Sequence, residues 1–435
     1  MTDPPREGIG PGKGPRLKMP SKRVLVYSHD TYGLGNIRRM LAISEHLLRT
    51  QPELSILLVS GSPVIDRLGL PDRLDYIKLP CLTRVERGQY RPRRLEVETE
   101  TILALRAELI RVTARHFAPD LLLVDKKPLG IRRELEPTLL DLSTHQPAAR
   151  RVLVLRDILD RPEAIIDNWE RNGHAAALPL YDRILVLGQR EIFDLGSRYR
   201  LTAAARERIV YCGYLRKEAP AGTREAVRRS RGIREEEQLL LVTPGGGEDG
   251  ERLVETALLA FRQLLARQDP HLSRPWRAIV VSGPEMRREA RERLRQMADD
   301  LPGVDFETFS GEMIGLVAAA DIVVSMGGYN TICEIVSQRK RAIVVPRVEP
   351  TEEQSLRAEC LGPLGLFDVV HPDQLDPTDL ARRLAELLSN GEAAPPDWGQ
   401  LDLNGLPALA REVEALLGDG EERGVSEREA GSVAG

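Results

Sequence analysis

The chain has 435 residues, of which 42% are hydrophobic and 29% charged, and this length suffices for two or three domains with their own cores. A net charge of −4, from 62 Lys and Arg against 66 Asp and Glu, argues against a dedicated nucleic-acid-binding protein. No apolar run reaches the ~20 residues of a membrane span, and no apolar segment of signal-peptide type precedes the first predicted strand. The four cysteines lie far apart, which argues against a disulfide scaffold and favours a cytoplasmic protein.

The order of apolar and charged segments predicts the fold class. Short runs rich in Val, Ile and Leu alternate with longer charged stretches of helical periodicity, a pattern typical of a parallel sheet covered by helices. The runs lie at 23–27, 55–59, 121–124, 152–155, 184–187, 209–211, 239–243, 278–281, 304–306, 322–324 and 342–346. Because so many strands rarely fit one open sheet, we expect an α/β protein with two Rossmann-like, doubly wound domains.

The domain boundaries follow from composition. A charged stretch without an apolar run, at 214–236, marks the seam between two domains. An amphipathic helix at 406–417 is expected to pack back across that seam. The resulting division is a disordered tail at 1–20, a first domain at 21–215, a second domain at 216–390, a linker with a crossing helix at 391–418, and a disordered tail at 419–435.

In open α/β sheets, ligands bind beyond the carboxyl ends of the strands, so the residues that follow each run are the candidates for a site. Gly245, Gly246 and Gly247 follow the run at 239–243 and precede a helix. Glycines let the main chain approach a ligand, and a helix N-terminus offers N–H groups to an anion. The loop matches neither the P-loop nor the dinucleotide-binding motif, and a simple tight turn is the alternative.

Two further loops of the second domain have the same character. Gly327 and Gly328 lead into a helix that contains Thr331 and Glu334, whose carboxylate is suited to a ribose diol or, alternatively, to the helix dipole. The run at 342–346 is followed by a helix start at which Glu353 and Gln354 are suited to sugar hydroxyls. Capping-box spacing from Thr351 to Gln354 is the structural alternative there.

The first domain offers a candidate base. His29 leaves the first strand, and Asp30, Gly33, Gly35 and Asn36 follow it on the side where an acceptor would bind. Asp125 ends the run at 121–124, and Arg156 with Asp157 ends the run at 152–155. A histidine oriented by a carboxylate is suited to deprotonating a hydroxyl near neutral pH, while a structural hydrogen-bonding role is the alternative. The other histidines have no metal-binding spacing, so no metal site built by the protein is expected.

The stretch Phe306 to Gln354, with F-S-G-E-M-x-x-x-x-A-A-A-D-I-V-V-S-M-G-G-Y-N-T-I-C-E-I inside it, resembles the donor segment of a known family. That family comprises GT-B glycosyltransferases of the family 28 kind, which add N-acetylglucosamine to the lipid-linked peptidoglycan precursor. The resemblance covers roughly 239–370, is weaker in the loop after His29, and implies two domains facing each other across a cleft. It also implies a nucleoside diphosphate sugar donor, with a UDP-sugar favoured, and no cofactor.

The resemblance implies roles for individual residues. Gly245, Gly246, Gly247, Gly327, Gly328 and Thr331 would follow the diphosphate, Arg216 would neutralise it, Ser310 and Met313 would flank the base, Glu334 would bind the ribose, and Glu353 and Gln354 would meet the sugar. His29 with Asp125 resembles the His/Asp pair of inverting enzymes. The implied reaction is a metal-independent, inverting transfer of a hexose-type sugar to an acceptor hydroxyl. The chain departs from the family in its glycine-poorer acceptor loop and in Glu353, where the family has glutamine.

The acceptor and two alternative functions remain open at this point. The Arg-rich segment 84–94, with Arg132 and Arg133, is suited to an anionic or lipid-linked acceptor or to the inner face of a membrane, whereas a solvated loop is the simpler interpretation. A sugar-nucleotide epimerase uses the same architecture but needs acid/base groups of which only Glu353 is evident. A non-catalytic nucleotide-sugar-binding protein is the third possibility.

Overall fold

The computed structural model describes residues 22–29, 35–86, 89–267, 274–389 and 396–432. The tail predicted at 1–20 lies outside these ranges. Among the helices of the described residues, none combines the length and apolar character that crossing a membrane demands.

The first domain is a parallel sheet covered by helices. Within the described residues its strands are β1 (Lys22–Ser28), β2 (Leu54–Ser60), β3 (Leu74–Lys78), β4 (Leu82–Glu86), β5 (Gln89–Pro92), β6 (Leu121–Asp125), β7 (Arg150–Arg156), β8 (Arg183–Leu187) and β9 (Ile209–Tyr211). The helices are α1 (Gly35–Thr50), α2 (Thr99–Phe117), α3 (Glu136–His145), α4 (Pro162–Arg171), α5 (His174–Ala177), α6 (Leu195–Arg198) and α7 (Ala203–Arg206). The sheet has the order β3-β2-β1-β6-β7-β8-β9, and β4 with β5 forms a separate antiparallel hairpin.

The second domain repeats this plan. Its strands are β10 (Gln238–Thr243), β11 (Trp276–Val281), β12 (Val304–Glu307), β13 (Ile322–Ser325), β14 (Arg341–Val344) and β15 (Asp368–Val369), in the parallel order β12-β11-β10-β13-β14-β15. The helices are α8 (Thr223–Ser230), α9 (Glu251–Arg267), α10 (Arg288–Asp299), α11 (Met313–Ala319), α12 (Tyr329–Ser337), α13 (Glu353–Leu361), α14 (Pro377–Ser389) and α15 (Gly405–Ser432). The predicted fold class, two doubly wound α/β domains, is confirmed.

The apolar runs form central strands because both faces of each sheet are covered. In β1, Val24 and Val26 pack toward α1, while Leu25 and Tyr27 belong to the core on the opposite face of the sheet. The periodicity of α1 buries one stripe of the helix, which includes Ile37. Alternate residues of one strand therefore join two different cores, and an uninterrupted apolar run meets that requirement.

The seam between the domains is shorter than the charged stretch 214–236 suggests. Helix α8 packs on α11, and Arg224 and Arg228 both pair with Asp321, so this part of the stretch belongs to the second domain. The chain crosses between domains at 212–217. There the N–H of Tyr214 donates to the carbonyl of Asp402 at 2.7 Å. The crossing segment thus pairs with the residues that directly precede α15.

Helix α15 returns to the first domain and packs against α1. Gln51 Nε2 donates to the carbonyl of Ala410 at 3.0 Å, and Leu409 and Val413 are buried in the core shared with α1. The backbone stays helical to Ser432, whereas the sequence predicts disorder from 419. Its glutamates and arginines favour a helix once a packed helix precedes them.

The Arg-rich segment 84–94 forms the β4–β5 hairpin rather than a loop without secondary structure. Leu82 pairs with Pro92 and Thr83 with Arg91 across the two strands. Leu82 is buried against α2, and this contact anchors a segment whose polar composition gives little strand signal. The edge strand β3 and the two-residue strand β15 were also not predicted.

Candidate active site

The two sheets bring their functional edges together. In each sheet the strand order reverses beside the first strand, between β1 and β6 and between β10 and β13, and this reversal is where open α/β sheets bind ligands. The predicted loops follow these strands. Asn330 Nδ2 of α12 donates to the carbonyl of Gly35 at 3.0 Å, so the start of α12 faces the start of α1 across the cleft.

The loop after β10 is packed so tightly that it requires glycine. Gly247 has a φ of +96°, and a Cβ there would lie 2.3 Å from the carbonyl oxygen of Ser282 in the loop after β11. Gly283 has a φ of +87° and would collide with the carbonyl of Gly246. Gly245 and Gly246 are exposed, whereas Gly247 is buried. Two of the three predicted glycines can therefore meet a ligand, and the third holds the two loops together.

The loop after β13 leads into a helix N-terminus. Gly328 is the N-cap of α12, and the free N–H groups of the first turn lie beside the partly exposed Thr331. Gly327 lies beneath, where its carbonyl accepts a hydrogen bond from Arg357 Nη1 at 2.9 Å. This arrangement offers main-chain donors and the positive end of a helix dipole to an anion.

Lys217, rather than Arg216, is the cation that reaches α12. Lys217 Nζ lies 3.0 Å from Asn330 Oδ1 and 3.4 Å from Glu334 Oε1. Arg216 is exposed, pairs with Glu218 at 2.7 Å, and lines a cavity behind the C-terminal end of α12. Alternate side chains of an extended linker point to opposite sides, so Lys217 lies beside the first turns of α12 and the predicted Arg216 does not.

Glu353 lies at the centre of a buried charge cluster. Its carboxylate pairs with Arg156 from the first domain and with Arg347 Nη2 at 3.2 Å. Burial raises the pKa of Glu353, but Arg156, Arg357 and Arg347 outweigh it and lower the pKa to about 2. Glu353 is therefore ionised, and in this conformation its carboxylate is engaged by arginines.

The remaining residues predicted to bind the donor also lie in the second domain. The side-chain carbonyl of Gln354 accepts a hydrogen bond from the N–H of Arg347 at 3.1 Å. Ser310 is buried, with its hydroxyl accepting from the N–H of Glu312 at 3.2 Å, and Met313 begins α11. The hydroxyl of Ser310 thus takes part in its own turn as an acceptor.

His29 lies at the facing edge in the first domain. Its Nδ1 is buried without a hydrogen-bond partner among the described residues. Burial, and next the positive charges of Lys127 and Lys126, lower the pKa of His29 well below its ordinary value. The imidazole is therefore neutral at neutral pH, the state a proton acceptor needs.

The predicted pairing of the His29 side chain with Asp125 takes a different form. Asp125 Oδ2 accepts from the main-chain N–H of His29 at 3.4 Å, and Oδ1 accepts from Arg39 Nη2 at 2.6 Å. Asn36 joins this group, because its side chain donates to the carbonyl of His29 and accepts from Arg39. Asp125 thus fixes the backbone at His29 rather than its ring, because Arg39 on α1 takes the carboxylate. Asp30 and Gly33 lie outside the described residues.

The domains are joined at the base of the cleft by a second buried pair. Arg357 of α13 binds Asp157 through two hydrogen bonds of 2.7 and 2.8 Å, and both side chains are about 1% exposed. Next to it, the N–H of Glu352 donates to Asp160 Oδ1 at 2.9 Å. The segment after β7 therefore holds the start of α13 in place.

Sequence reasoning missed Lys217, Gly283, Arg347 and the partner of Asp157. Gly283 could have been predicted, since it follows a predicted strand as the other loop glycines do. The pairing of Asp157 with Arg357 carried none, because the two residues are 200 positions apart.

Comparison with known proteins gives this site a family context. Residues 240–404 match the glycosyltransferase family 28 C-terminal domain. The chain is 24% identical over 277 residues to an uncharacterized glycosyltransferase of Methanopyrus kandleri, covering 61% of this chain and 73% of that protein. It is 26% identical over 212 residues to a UDP-N-acetylglucosamine–N-acetylmuramyl-(pentapeptide) pyrophosphoryl-undecaprenol N-acetylglucosamine transferase of Symbiobacterium thermophilum. That match covers 46% of this chain and 53% of the transferase, so the chain spans about half of its length.

Solved structures share the whole architecture. The MurG protein of Acinetobacter baumannii superposes with a TM-score of 0.55 at 14% identity, over 91% of this chain and 99% of that one. A UDP-N-acetylglucosamine 2-epimerase described from Listeria monocytogenes superposes with a TM-score of 0.60 at 13% identity, over 92% and 97%. At such identities the likeness concerns the fold. The chain therefore has the GT-B fold, and its second domain is similar to the C-terminal domain of glycosyltransferase family 28.

Proposed function

We propose that the protein transfers a hexose-type sugar from a UDP-sugar to an acceptor hydroxyl, with inversion and without a metal ion held by the protein. The observation that carries the proposal is the meeting of two edges at the points where the strand orders reverse. One edge offers main-chain donors at Gly245, Gly246 and the start of α12, and the other offers the neutral His29.

The donor would bind to the second domain. The diphosphate would accept hydrogen bonds from the first turn of α12 and from the exposed glycine loop, with Lys217 as the adjacent cation. Glu334, buried beside Lys217, would accept hydrogen bonds from the ribose hydroxyls. These donors are fixed before the reaction, so they stabilise the negative charge that develops on the leaving UDP.

The acceptor would react from the first domain. As the acceptor oxygen forms a bond to the anomeric carbon, its proton passes to the neutral imidazole of His29, and the bond from that carbon to the phosphate oxygen breaks with its electron pair. The products are the glycosylated acceptor, UDP and a protonated His29. Asp125 and Arg39 keep the backbone of His29 in place during this step.

The sugar would reach Gln354 and Glu353 as Arg156 leaves the carboxylate. The Arg156–Glu353 pair joins the two domains, so a movement about residues 212–217 would open and close this contact. Closure around both substrates would exclude water from the anomeric carbon and disfavour hydrolysis of the donor.

We also propose contact with the inner face of a cytoplasmic membrane, where a lipid-linked acceptor would be presented. Leu105, Leu109 and Val112 form an exposed stripe along α2, at spacings of four and three residues. Exposed Glu108 lies three residues after Leu105, and exposed Arg115 lies three residues after Val112, so both charges neighbour the stripe on α2. Because the flanking charge is mixed, apolar burial would supply most of the affinity.

Flotation with vesicles tests the membrane contact. We expect the wild-type protein to float with phosphatidylglycerol-containing vesicles and the L105Q/L109Q variant to lose most of this binding. A matched variant of an exposed leucine on α3, L140Q, keeps it. Equal flotation of the three proteins would refute the surface, and a change of oligomeric state in L105Q/L109Q would assign the stripe to a second copy of the chain.

Donor binding and UDP release test the reaction. A ligand that binds only the folded protein raises its melting temperature, so UDP and UDP-sugars are expected to raise it more than GDP, dTDP and their sugars. UDP should then be released from a UDP-sugar in the presence of membrane lipids from a bacterium. Absence of UDP release from any UDP-sugar, despite binding, would refute the transferase.

The same assay separates the alternatives. An epimerase would change the sugar without releasing stoichiometric UDP and without an acceptor. A non-catalytic binding protein would bind UDP-sugars and leave them unchanged, and His29→Ala would then have no measurable effect.

A further inference from the structure

A small pocket opens beside the carboxyl end of β6, on the first-domain side of the cleft. Its volume is about 30 Å³, which accommodates one small group rather than a sugar ring. The residues that line it are Lys127, Arg132, Arg133, Asn168, Asn172 and His174. Tyr90 of the β4–β5 hairpin closes one side. We call this the basic pocket.

The basic pocket carries an excess of positive charge. Arg133 pairs with Glu136, and Arg132 lies 3.6 Å from Glu100. Both arginines are about half exposed, so these pairs are weak. Lys127 has no acidic partner among the described residues. Among the described residues, the pocket thus carries two weakly paired guanidinium groups and the ammonium of Lys127, which no carboxylate neutralises.

The backbone that presents the two arginines is strained. Arg132 and Arg133 have φ values of 45° and 66°, in the left-handed region that side chains disfavour. The Arg133 guanidinium lies against Gly173, where a Cβ would be 2.4 Å from Nη1, and donates to the carbonyl of Asn172 at 3.3 Å. Gly173 leaves room for the Arg133 guanidinium, and Glu136 and the carbonyl of Asn172 hold that group at the pocket.

His174 lies in the wall of the pocket, where nearby positive charges act on its ring. The side chain is buried, about 3% exposed, and its Nδ1 has no hydrogen-bond partner among the described residues. Burial, followed by the charges of Lys127 and Arg133, lowers the pKa of His174 to about 4. A ring nitrogen without a partner, beside the ammonium of Lys127 that no described carboxylate neutralises, is the environment that an anion would complete.

We propose that the basic pocket binds one phosphate group of the acceptor. The inference rests on the proposed function, because it places this group next to the acceptor hydroxyl: Lys127 follows Asp125 by two residues, and Asp125 holds the backbone of His29. The ammonium of Lys127 and the weakly paired guanidinium of Arg132 supply several N–H donors, which suit the oxygens of a phosphate. The proposed function puts the donor diphosphate on the second domain, so we assign this group to the acceptor.

Titration of the His174 ring by NMR, with inorganic phosphate as the probe, tests the site. Phosphate in the pocket would stabilise the protonated ring, so we expect it to raise the pKa of His174 from about 4 by roughly one. Trifluoroacetate, a carboxylate that stays ionised at this pH, should have a smaller effect at the same ionic strength. A His174 resonance that does not respond to phosphate would overturn the proposal, and an equal response to trifluoroacetate would replace phosphate by a carboxylate as the ligand.

Variants assign the response to the pocket. Lys127→Met should weaken phosphate binding about tenfold, whereas Arg91→Met, which changes an exposed arginine of the hairpin outside the pocket, should alter it less than about twofold. If both variants weakened phosphate binding equally, the binding would be due to general surface charge rather than to the pocket. UDP affinity, measured on each protein, serves as the check of folding.

The UDP measurement also separates this inference from the proposed function. If the wild-type protein binds UDP and lacks the phosphate response, only the pocket assignment fails. If it binds phosphate in the pocket and no nucleoside diphosphate, the proposed transfer reaction fails while the anion site stands.

Discussion

The two edges of the cleft are built by different means. The second-domain edge consists largely of main chain: two exposed glycines, a helix N-terminus, and a loop–loop contact that only Gly247 and Gly283 permit. The first-domain edge consists of side chains, with His29 at its centre and Asp125 and Arg39 behind it. A backbone-built edge binds any ligand with suitably placed phosphates, whereas a side-chain edge supplies a specific proton acceptor. We therefore expect the first-domain edge, with its side chains, to determine turnover. The second-domain edge, built from main chain, should determine donor affinity.

Removal of His29 is the strongest test of this division. His29→Ala should lower kcat by about 10²- to 10⁴-fold, the usual contribution of a general base, while UDP affinity changes little. His116→Ala, at an exposed position near the end of α2, is the matched control and should leave both quantities unchanged. Turnover that survives in His29→Ala, measured by UDP release, would show that the proton acceptor lies elsewhere.

The sequence predicted the backbone-built edge better than the side-chain edge, for a physical reason. A main-chain site leaves a local trace, because glycines must stand where a strand ends and a helix begins, as Gly245 and Gly327 do. A side-chain site depends on which residues meet after packing. His29 and Asp125 were brought to neighbouring strand ends by the predicted sheet, but nothing local indicated that Arg39 would bind the carboxylate.

Contacts between the domains were the least predictable part of the site. The Asp157–Arg357 and Arg156–Glu353 pairs depend on how two separately folded sheets dock, which no periodicity encodes. The hairpin was missed because its strands are polar and its anchor is a single buried residue, Leu82. Local patterns thus predicted the strands and the loops, and the tertiary structure was needed for the partners.

The second test concerns the pair that fixes one edge against the other. Asp157→Asn leaves Arg357 buried without a counter-charge, and breaking such a pair by removing one partner costs about 3–5 kcal/mol of unfolding free energy. Urea denaturation followed by circular dichroism measures this loss. Arg288→Gln, which removes an exposed pair with Glu292, should give no resolvable change.

The double variant D157L/R357M sharpens the result. Replacing both charges with apolar side chains removes the unpaired ion, so the loss of stability should be much smaller than in Asp157→Asn. Equal losses in the single and double variants would show that packing, rather than the ion pair, joins the domains.

The third test addresses the cation of the donor edge. Lys217→Met should weaken UDP binding about tenfold, since a charge-assisted contact to phosphate is lost, and should affect kcat less. Arg216→Met is the neighbouring control and should change UDP affinity less than about twofold, because that side chain lies at the C-terminal end of α12, away from its first turn. Isothermal titration calorimetry measures both. If Arg216→Met weakened UDP binding more than Lys217→Met, Arg216 would be the cation that binds the diphosphate, as the sequence predicted.

The smallest expected effect is in the pH dependence of kcat. A base with an ordinary histidine pKa near 6.5 would lose about fourfold in rate between pH 8 and pH 6. Since the pKa of His29 lies well below that value, its neutral fraction is nearly complete throughout this range, and the rate should stay flat. Its acid limb should appear below pH 6, where the ring begins to bind a proton. A limb with a midpoint at 6.5 or above would contradict the burial of His29 as the base.

Lys126 also titrates between pH 6 and pH 8, so its effect on the rate has to be distinguished from that of His29. Burial, and next the charge of Arg156, lower the pKa of Lys126 to about 7, so Lys126 loses its proton between pH 6 and pH 8 near Glu353. Its titration changes the charge of the donor-sugar region and should therefore act on KM rather than on kcat. If a limb near pH 7 appears in kcat/KM, it should vanish in Lys126→Met. A limb that persists in that variant would have to come from the first-domain edge, and the neutral His29 would then no longer account for proton transfer.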